Sequence, residues 1–234
     1  MNDERQEKIF SAYQLVGKFS SLYDGMMTNS GLFGKIAVKL FWGMTSAEFE
    51  NFLTLTLAGV PKNFSGRMLE IPVGTGVLTF PFYEKSDGAE IFCVDYSEKM
   101  IDAAKKKSSE KFLPNVKILR GDVGNLNFPS EFFDLVLSVN GLHVFPDKSA
   151  AYKEIFRTLK PDGIFCGSVY VAGQCRRTDF FVKNFCDKAG FFTPPHETPE
   201  TLERRLKSFC DEVKISRVKS FAGFVCRKKK FPQT

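Results

Sequence analysis

Side chains that build metal centres are scarce in this 234-residue sequence: it holds two histidines, His143 and His196, and six cysteines without a Cys-x-x-Cys. A thiolate or imidazole zinc site has little to be made from, so no metal is expected. Several of the cysteines fall inside apolar runs, as reduced and buried thiols do, which points to a cytoplasmic setting. Long apolar stretches are missing too. The longest uncharged runs, Ile71 to Tyr83 and Gly163 to Cys175, have 13 residues, short of the about 20 that a membrane-crossing helix needs. The start, Met1 to Arg5, lacks the basic and apolar pattern of a secretory signal.

What is present is an ordinary globular composition, 43% hydrophobic and 26% charged, on a chain long enough for one elaborated domain. The net charge of +6 is uneven. Residues 204–234 carry ten Lys or Arg against two acids. Such a cluster is either a footprint for nucleic acid or anionic lipid, or a solvated helix face with a frayed tail at Arg227 to Lys230. The second is the usual case.

Residues 1–66 read as helical. Ile9, Tyr13 and Val16, then Ile36, Ala37, Leu40, Phe41 and Met44, recur at helical spacing, and Thr45 with Glu48 forms a capping box ahead of Phe49. From Arg67 onward, short apolar runs alternate with helical segments, the pattern of βαβ units around a mostly parallel sheet. Strands are predicted near 68–71, 90–94, 116–119, 133–139 and 164–171, with helices near 77–83, 98–108, 148–159, 178–189 and 199–209. Two closing strands, 213–218 and 221–226, are too closely joined to be parallel, so they form a hairpin. The fold class is therefore α/β, a doubly wound, Rossmann-like sheet of seven strands with an antiparallel C-terminal hairpin and an N-terminal helical extension.

The richest stretch is Met68-Leu69-Glu70-Ile71-Pro72-Val73-Gly74-Thr75-Gly76, a buried strand that ends in an acid and runs into a glycine turn opening a helix. Ligands of open α/β sheets bind at that carboxyl edge. Neither glycine is followed by the third glycine of the dinucleotide fingerprint, which excludes the usual pyrophosphate cradle. Glu70 instead suits a cationic amino-acid group. Asp95, closing the second strand, stands where an acid accepts from both ribose hydroxyls. Asp122, after the third, is placed to accept from an exocyclic amine.

This order resembles the class I S-adenosylmethionine-dependent methyltransferases from about Arg67 to the end. Leu69 to Gly76 is similar to the family's first motif, Asp95-Tyr96-Ser97-Glu98-Lys99-Met100 to its second, Gly121-Asp122-Val123 to its adenine-side motif and Phe133 to Ser138 to its fourth. The resemblance implies S-adenosylmethionine as cofactor, with Glu70, Gly74 and Gly76 at its methionine portion and Asp95 at the ribose. Asp122 with Val123 would meet the adenine amine, Tyr96 and Met100 would flank the ring, and Ser138 would complete the site. Pro72 departs from the pattern, standing where the family usually has a glycine, and offers no N–H.

Upstream, Tyr23-Asp24, Gly31 and Phe41-Trp42 resemble the N-terminal segment of the ubiquinone and menaquinone C-methyltransferase-like (methyltransferase type 11) subgroup. The resemblance makes residues 1–66 a lid and substrate-shaping segment, with Tyr23 as its lid residue, over a methyltransferase domain of 67–234. His143, just after the fourth strand, is the candidate general base for a phenol, amine or activated carbon, the alternative being a histidine that orders its loop. Phenylalanine dominates the aromatics, 26 residues against six Tyr and one Trp. Phe33, Phe41, Phe180, Phe185 and Phe192 suggest an apolar acceptor pocket roofed by the N-terminal helices and the segment after strand five. The expected activity is methyl transfer to a small apolar or aromatic acceptor. The alternatives are RNA or a membrane-embedded quinone as acceptor, with peripheral membrane contact through the basic C-terminus, or a cofactor-binding module without catalysis. The fourth motif lacks Asn-Pro-Pro-aromatic, so nucleic acid is not the expected partner.

Overall fold

Along the central strands, successive apolar side chains face opposite ways, and each face is covered. Leu69, Phe92, Val94, Phe133 and Val136 join one core, while Met68, Ile91, Cys93, Leu135 and Leu137 join another. Period-two alternation between two buried faces is why these strands read as unbroken apolar runs. The computed structural model describes residues 20 to 230. Its strands are β1 (Gly66–Glu70), β2 (Ala89–Asp95), β3 (Val116–Arg120), β4 (Phe133–Val139), β5 (Leu159–Tyr170), β6 (Cys210–Val218) and β7 (Phe221–Lys228). They form one seven-stranded sheet in the order β3-β2-β1-β4-β5-β7-β6, with β7 antiparallel to both β5 and β6. The strand order reverses between β1 and β4, which opens a crevice at their carboxyl ends.

The helices are α1 (Ser20–Met27), α2 (Gly31–Ala37), α3 (Ser46–Leu57), α4 (Phe80–Tyr83), α5 (Glu98–Glu110), α6 (Lys148–Thr158), α7 (Arg176–Phe181), α8 (Asp187–Ala189) and α9 (Pro199–Phe209). One face of the sheet takes α6 and α9 through Tyr152, Ile155, Phe156, Leu202 and Leu206. The other takes α4 and α5 through Phe80, Tyr83, Ile101 and Ala104. A third core ties the N-terminal helices to the ends of β5 and β7, where Val38, Phe49 and Phe52 pack with Tyr170, Phe192 and Phe221. The capping box at Thr45 forms as expected, with both the Thr45 and the Glu48 side chains engaged.

Four sequence expectations change. The helix expected from Val77 begins at Phe80, because residues 77–79 are spent in a turn. The long helix expected over 178–189 is interrupted by a π-turn, Val182–Cys186, and α2 runs into another, Val38–Trp42. Strand β5 starts at Leu159, ahead of the expected 164–171, and carries Pro161 to Gly163 within it. The basic C-terminal run is not a frayed tail. Arg227 and Lys228 lie inside β7, Lys228 is buried with its Nζ donating to the Leu159 carbonyl at 2.6 Å, and Arg227 and Lys230 pair with Asp162. The periodicity at Ile9, Tyr13 and Val16 lies outside the described residues.

Candidate functional site

The crevice between β1 and β4 is a cleft of about 1050 Å³, its mouth included, whose floor and walls come from the turns after β1, β2, β3 and β4 and whose roof is α1. The turn after β1 is fixed by the sheet on both sides: Ile71 donates to the Leu137 carbonyl at 2.9 Å and Val73 to the Val94 carbonyl at 3.0 Å. Gly76 then donates back to Val73 and sits at φ +72°, a region where a side chain is strained. A Cβ there would stand 2.4 Å from the Phe80 ring, so glycine is required both for the turn and for the approach of α4. The ring of Pro72 lines the cleft, and the chain makes room for it at Gly141, where a Cβ would come within 2.2 Å of the Pro72 Cδ.

Carboxylates occupy the floor. Asp95 is buried, with Oδ2 accepting the Gly74 N–H and Oδ1 the Ser97 N–H, both at 2.9 Å. Burial pushes its carboxyl up to about 6, although the N–H groups of Ser97, Gly74 and Tyr96 pull the other way. An ionised carboxylate has about four lone-pair sites, so Asp95 can orient the first two turns and still accept from a ligand diol. Glu70 is deeper. Its Oε2 accepts from the Tyr83 hydroxyl at 2.8 Å, the Thr79 hydroxyl at 3.1 Å and the Cys93 thiol at 3.6 Å. Burial outweighs those donors and pushes Glu70 up to about 8. Asp122 accepts the Gly124 N–H at 2.8 Å and lies half-buried beside Val123 on the far wall.

The roof residue Tyr23 lines the cleft, and burial together with the charges of Asp95 and Asp24 pushes its hydroxyl above the usual phenol range, keeping it neutral. Its neighbour Asp24 anchors the roof, accepting from the Thr75 hydroxyl and pairing with Lys107 of α5 at 2.7 Å. Asp24 stands in the N-terminal motif with no role expected from the sequence. Its place one residue after Tyr23 was the available signal. Ser97, at the start of α5, also belongs to the cleft lining, and its buried hydroxyl neither caps the helix nor finds a partner among the described residues.

Glu70, Pro72, Gly74, Gly76, Asp95, Tyr96, Asp122, Val123 and Tyr23 thus meet at one cleft. Three expected residues do not reach its wall. Met100 is fully buried on α5. Ser138 is buried beneath Gly141 with an unpartnered hydroxyl. His143 turns away into the protein: its Nδ1 accepts the Tyr170 N–H at 3.1 Å, and its ring centroid lies 4.0 Å from that of Phe192. Burial holds it well below the ordinary histidine range. The turn at Gly141, which accepts from both Val144 and Phe145, sends those two side chains to the cleft in its place. Among the described residues the expected phenylalanine roof does not form either. Phe41 stacks on Phe181 at 4.3 Å and Phe192 on Trp42 at 6.0 Å, while the cleft's apolar wall is Met27, Val139, Val144, Phe145 and Pro146.

S-adenosylmethionine, the cofactor that the family resemblance implies, fits these groups. Acids for a diol, an amine and an ammonium stand at three successive strand ends, and the glycine turn leaves room for close approach.

The Methyltransferase domain family matches residues 69–167. A demethylmenaquinone methyltransferase from a Geobacillus species is 33% identical over 165 residues, covering 68% of this chain and 70% of its own. One from Staphylococcus saprophyticus is 34% identical over 142 residues, covering 58% of this chain and 59% of its own. The chain thus spans somewhat under two thirds of that relative's length. Haemonchus contortus phosphoethanolamine N-methyltransferase 2, solved with S-adenosyl-L-methionine, shares the fold with a TM-score of 0.65 at 16% identity, covering 77% of this chain and 53% of that one. By fold, site and sequence, the chain belongs to the class I S-adenosylmethionine-dependent methyltransferases of the quinone C-methyltransferase-like type.

Proposed function

We propose that this protein transfers a methyl group from S-adenosylmethionine to a small, apolar, quinol-like aromatic acceptor. The observation that carries the reading is the division of one cleft into a carboxylate floor, Glu70, Asp95 and Asp122, and an apolar wall, Met27, Val139, Val144, Phe145 and Pro146. When bound, S-adenosylmethionine supplies an electrophilic methyl carbon on a sulfonium. Glu70 would balance the ammonium of the methionine portion, Asp95 would accept from the ribose diol and Asp122 from the adenine amine. The N-terminal segment would cover the site through Tyr23 and Met27 of α1, which line the cleft and exclude water.

The chain's own contribution is alignment. In-line displacement gains most from holding the acceptor carbon against the methyl group, an effect worth up to roughly 7–11 kcal/mol in well-oriented reactions. No histidine lines the cleft. His143, neutral and hydrogen-bonded to Tyr170, holds the loop that presents Val144 and Phe145. An acceptor that ionises by itself, such as a hydroquinone, suits a site that positions and does not deprotonate. The curated relatives named as demethylmenaquinone methyltransferases support the same acceptor class.

Methyl-labelled cofactor with a short-chain demethylated naphthohydroquinone, a catechol and an aromatic amine tests the proposal. Label should enter the hydroquinone ring carbon. Label confined to the catechol or to the amine would overturn it.

A further inference from the structure

We infer that the outer face of α2, together with the neighbouring α7 and its π-turn, is a docking surface for an anionic lipid bilayer. Leu32, Phe33, Ile36 and Leu40 are each more than half exposed. They follow one another at helical spacing, while Gly34, Ala37 and Val38 of the same helix face inward and are buried. A helix apolar on both sides needs a second apolar phase against its outer side. On the neighbouring α7 and its π-turn, Phe180 and Phe185 are also more than half exposed. The two elements are tied together: Arg177 donates to the Lys39 carbonyl, Thr178 to the Phe41 carbonyl, and a row of rings runs from Phe41 through Phe181 to Phe185.

The charge around this face names the partner. No acid occurs between Asp24 and Glu48, whereas Lys35 and Lys39 punctuate the apolar stripe, and Arg176, Arg177 and Lys183 flank the phenylalanines. The one acid on α7, Asp179, is engaged by the Tyr170 hydroxyl and the Gly173 N–H. None of the ion pairs among the described residues uses Lys35, Lys39, Arg176 or Lys183. Large apolar side chains interleaved with cations are what an interfacial helix presents to anionic headgroups, the rings and aliphatic chains entering the acyl boundary while the lysines reach to phosphate. The position gives the surface a purpose, and here the inference rests on the proposed acceptor class. A three-residue turn joins α2 to α1, whose Met27 lines the cleft, so a bilayer on this face would lie beside the segment that covers the cleft, from which a lipid-tailed quinol would arrive.

Flotation of the full chain with phosphatidylcholine vesicles, and with vesicles containing 30% phosphatidylglycerol, tests this. The chain should float with the anionic vesicles, and partition should fall at least tenfold for Ile36→Asp/Phe180→Asp. Lys35→Glu/Lys39→Glu should lower it about fivefold or more per lysine. All four side chains are exposed, so both variants should melt with the parent. Both should also keep the parent's turnover on a water-soluble, short-chain hydroquinone. That control separates the two readings, because loss of hydroquinone methylation in every preparation, with vesicle binding intact, would refute the acceptor class and leave the surface standing. Equal flotation of parent and variants would overturn the inference. So would no flotation at all, including the case in which sedimentation shows the face pairing two copies of the chain.

Discussion

Glu70→Gln should abolish a proton release that accompanies cofactor binding. Glu70 ionises at about 8 in the unliganded cleft because burial outweighs the donors on Oε2. At pH 7 a group of that pKa is roughly nine tenths protonated, yet only the carboxylate balances an ammonium. Binding should therefore expel close to one proton per cofactor at pH 7 and about half at pH 8, and affinity should rise nearly tenfold per pH unit between pH 6 and 7.5. The same shift sets a stability trend. The folded state binds the proton more tightly than the unfolded one, so unliganded stability is highest below pH 4.5 for this group and is lost as pH climbs to about 8. The full loss is on the order of 5 kcal/mol at 1.36 kcal/mol per unit. Titration calorimetry in phosphate and in Tris, whose ionisation enthalpies differ, reads the proton count, and thermal melts from pH 5 to 8 read the stability. Comparison with the variant cancels the ligand's own amine. Equal proton counts for parent and Glu70→Gln would refute the assignment.

Much of the fold was legible because it rests on period and punctuation. Strand β4 and helix α9 have the predicted bounds, since Phe133 to Val139 is an apolar run buried at every position but Asp134 and Val139, and Thr198-Pro199 is a cap followed by a helix-starting proline. The carboxylate floor was legible for a related reason: each acid directly ends or follows a strand, and parallel strands bring those ends to one edge. Direction within a turn was not. His143 and Val144 are neighbours, and only the turn closed at Gly141 sends one inward and the other to the cleft. The π-turns were also hidden, because one extra residue per turn leaves no mark on composition. Pro72 reads as a defect until Gly141, 69 positions later, is seen to make room for its ring.

Asp95→Ala should weaken cofactor affinity by about 1–3 kcal/mol and also lower the melting temperature, since it strands the buried Gly74 and Ser97 N–H groups. Calorimetry and melting read the two losses, and a normal melt would show that those N–H groups find other acceptors. His143→Ala should leave turnover within about threefold at saturation while costing stability of about 1–3 kcal/mol, because the Tyr170 N–H loses its acceptor. A loss of roughly 10²-fold or more in turnover with a normal melt would restore it as the base. Asp24→Asn should loosen the roof. The substitution removes the charge that pairs with Lys107 and weakens the hold on Thr75, the link that joins α1 to both the glycine turn and α5. A part-buried pair of this kind contributes about 1 kcal/mol to stability, so the global melt should move by only a few degrees. The roof itself is short and held at few points, so its opening should become several-fold more frequent. Release of the demethylated cofactor, followed by stopped-flow displacement, should speed up by the same factor, and an unchanged release rate would mean that α1 is held over the cleft by its packing alone.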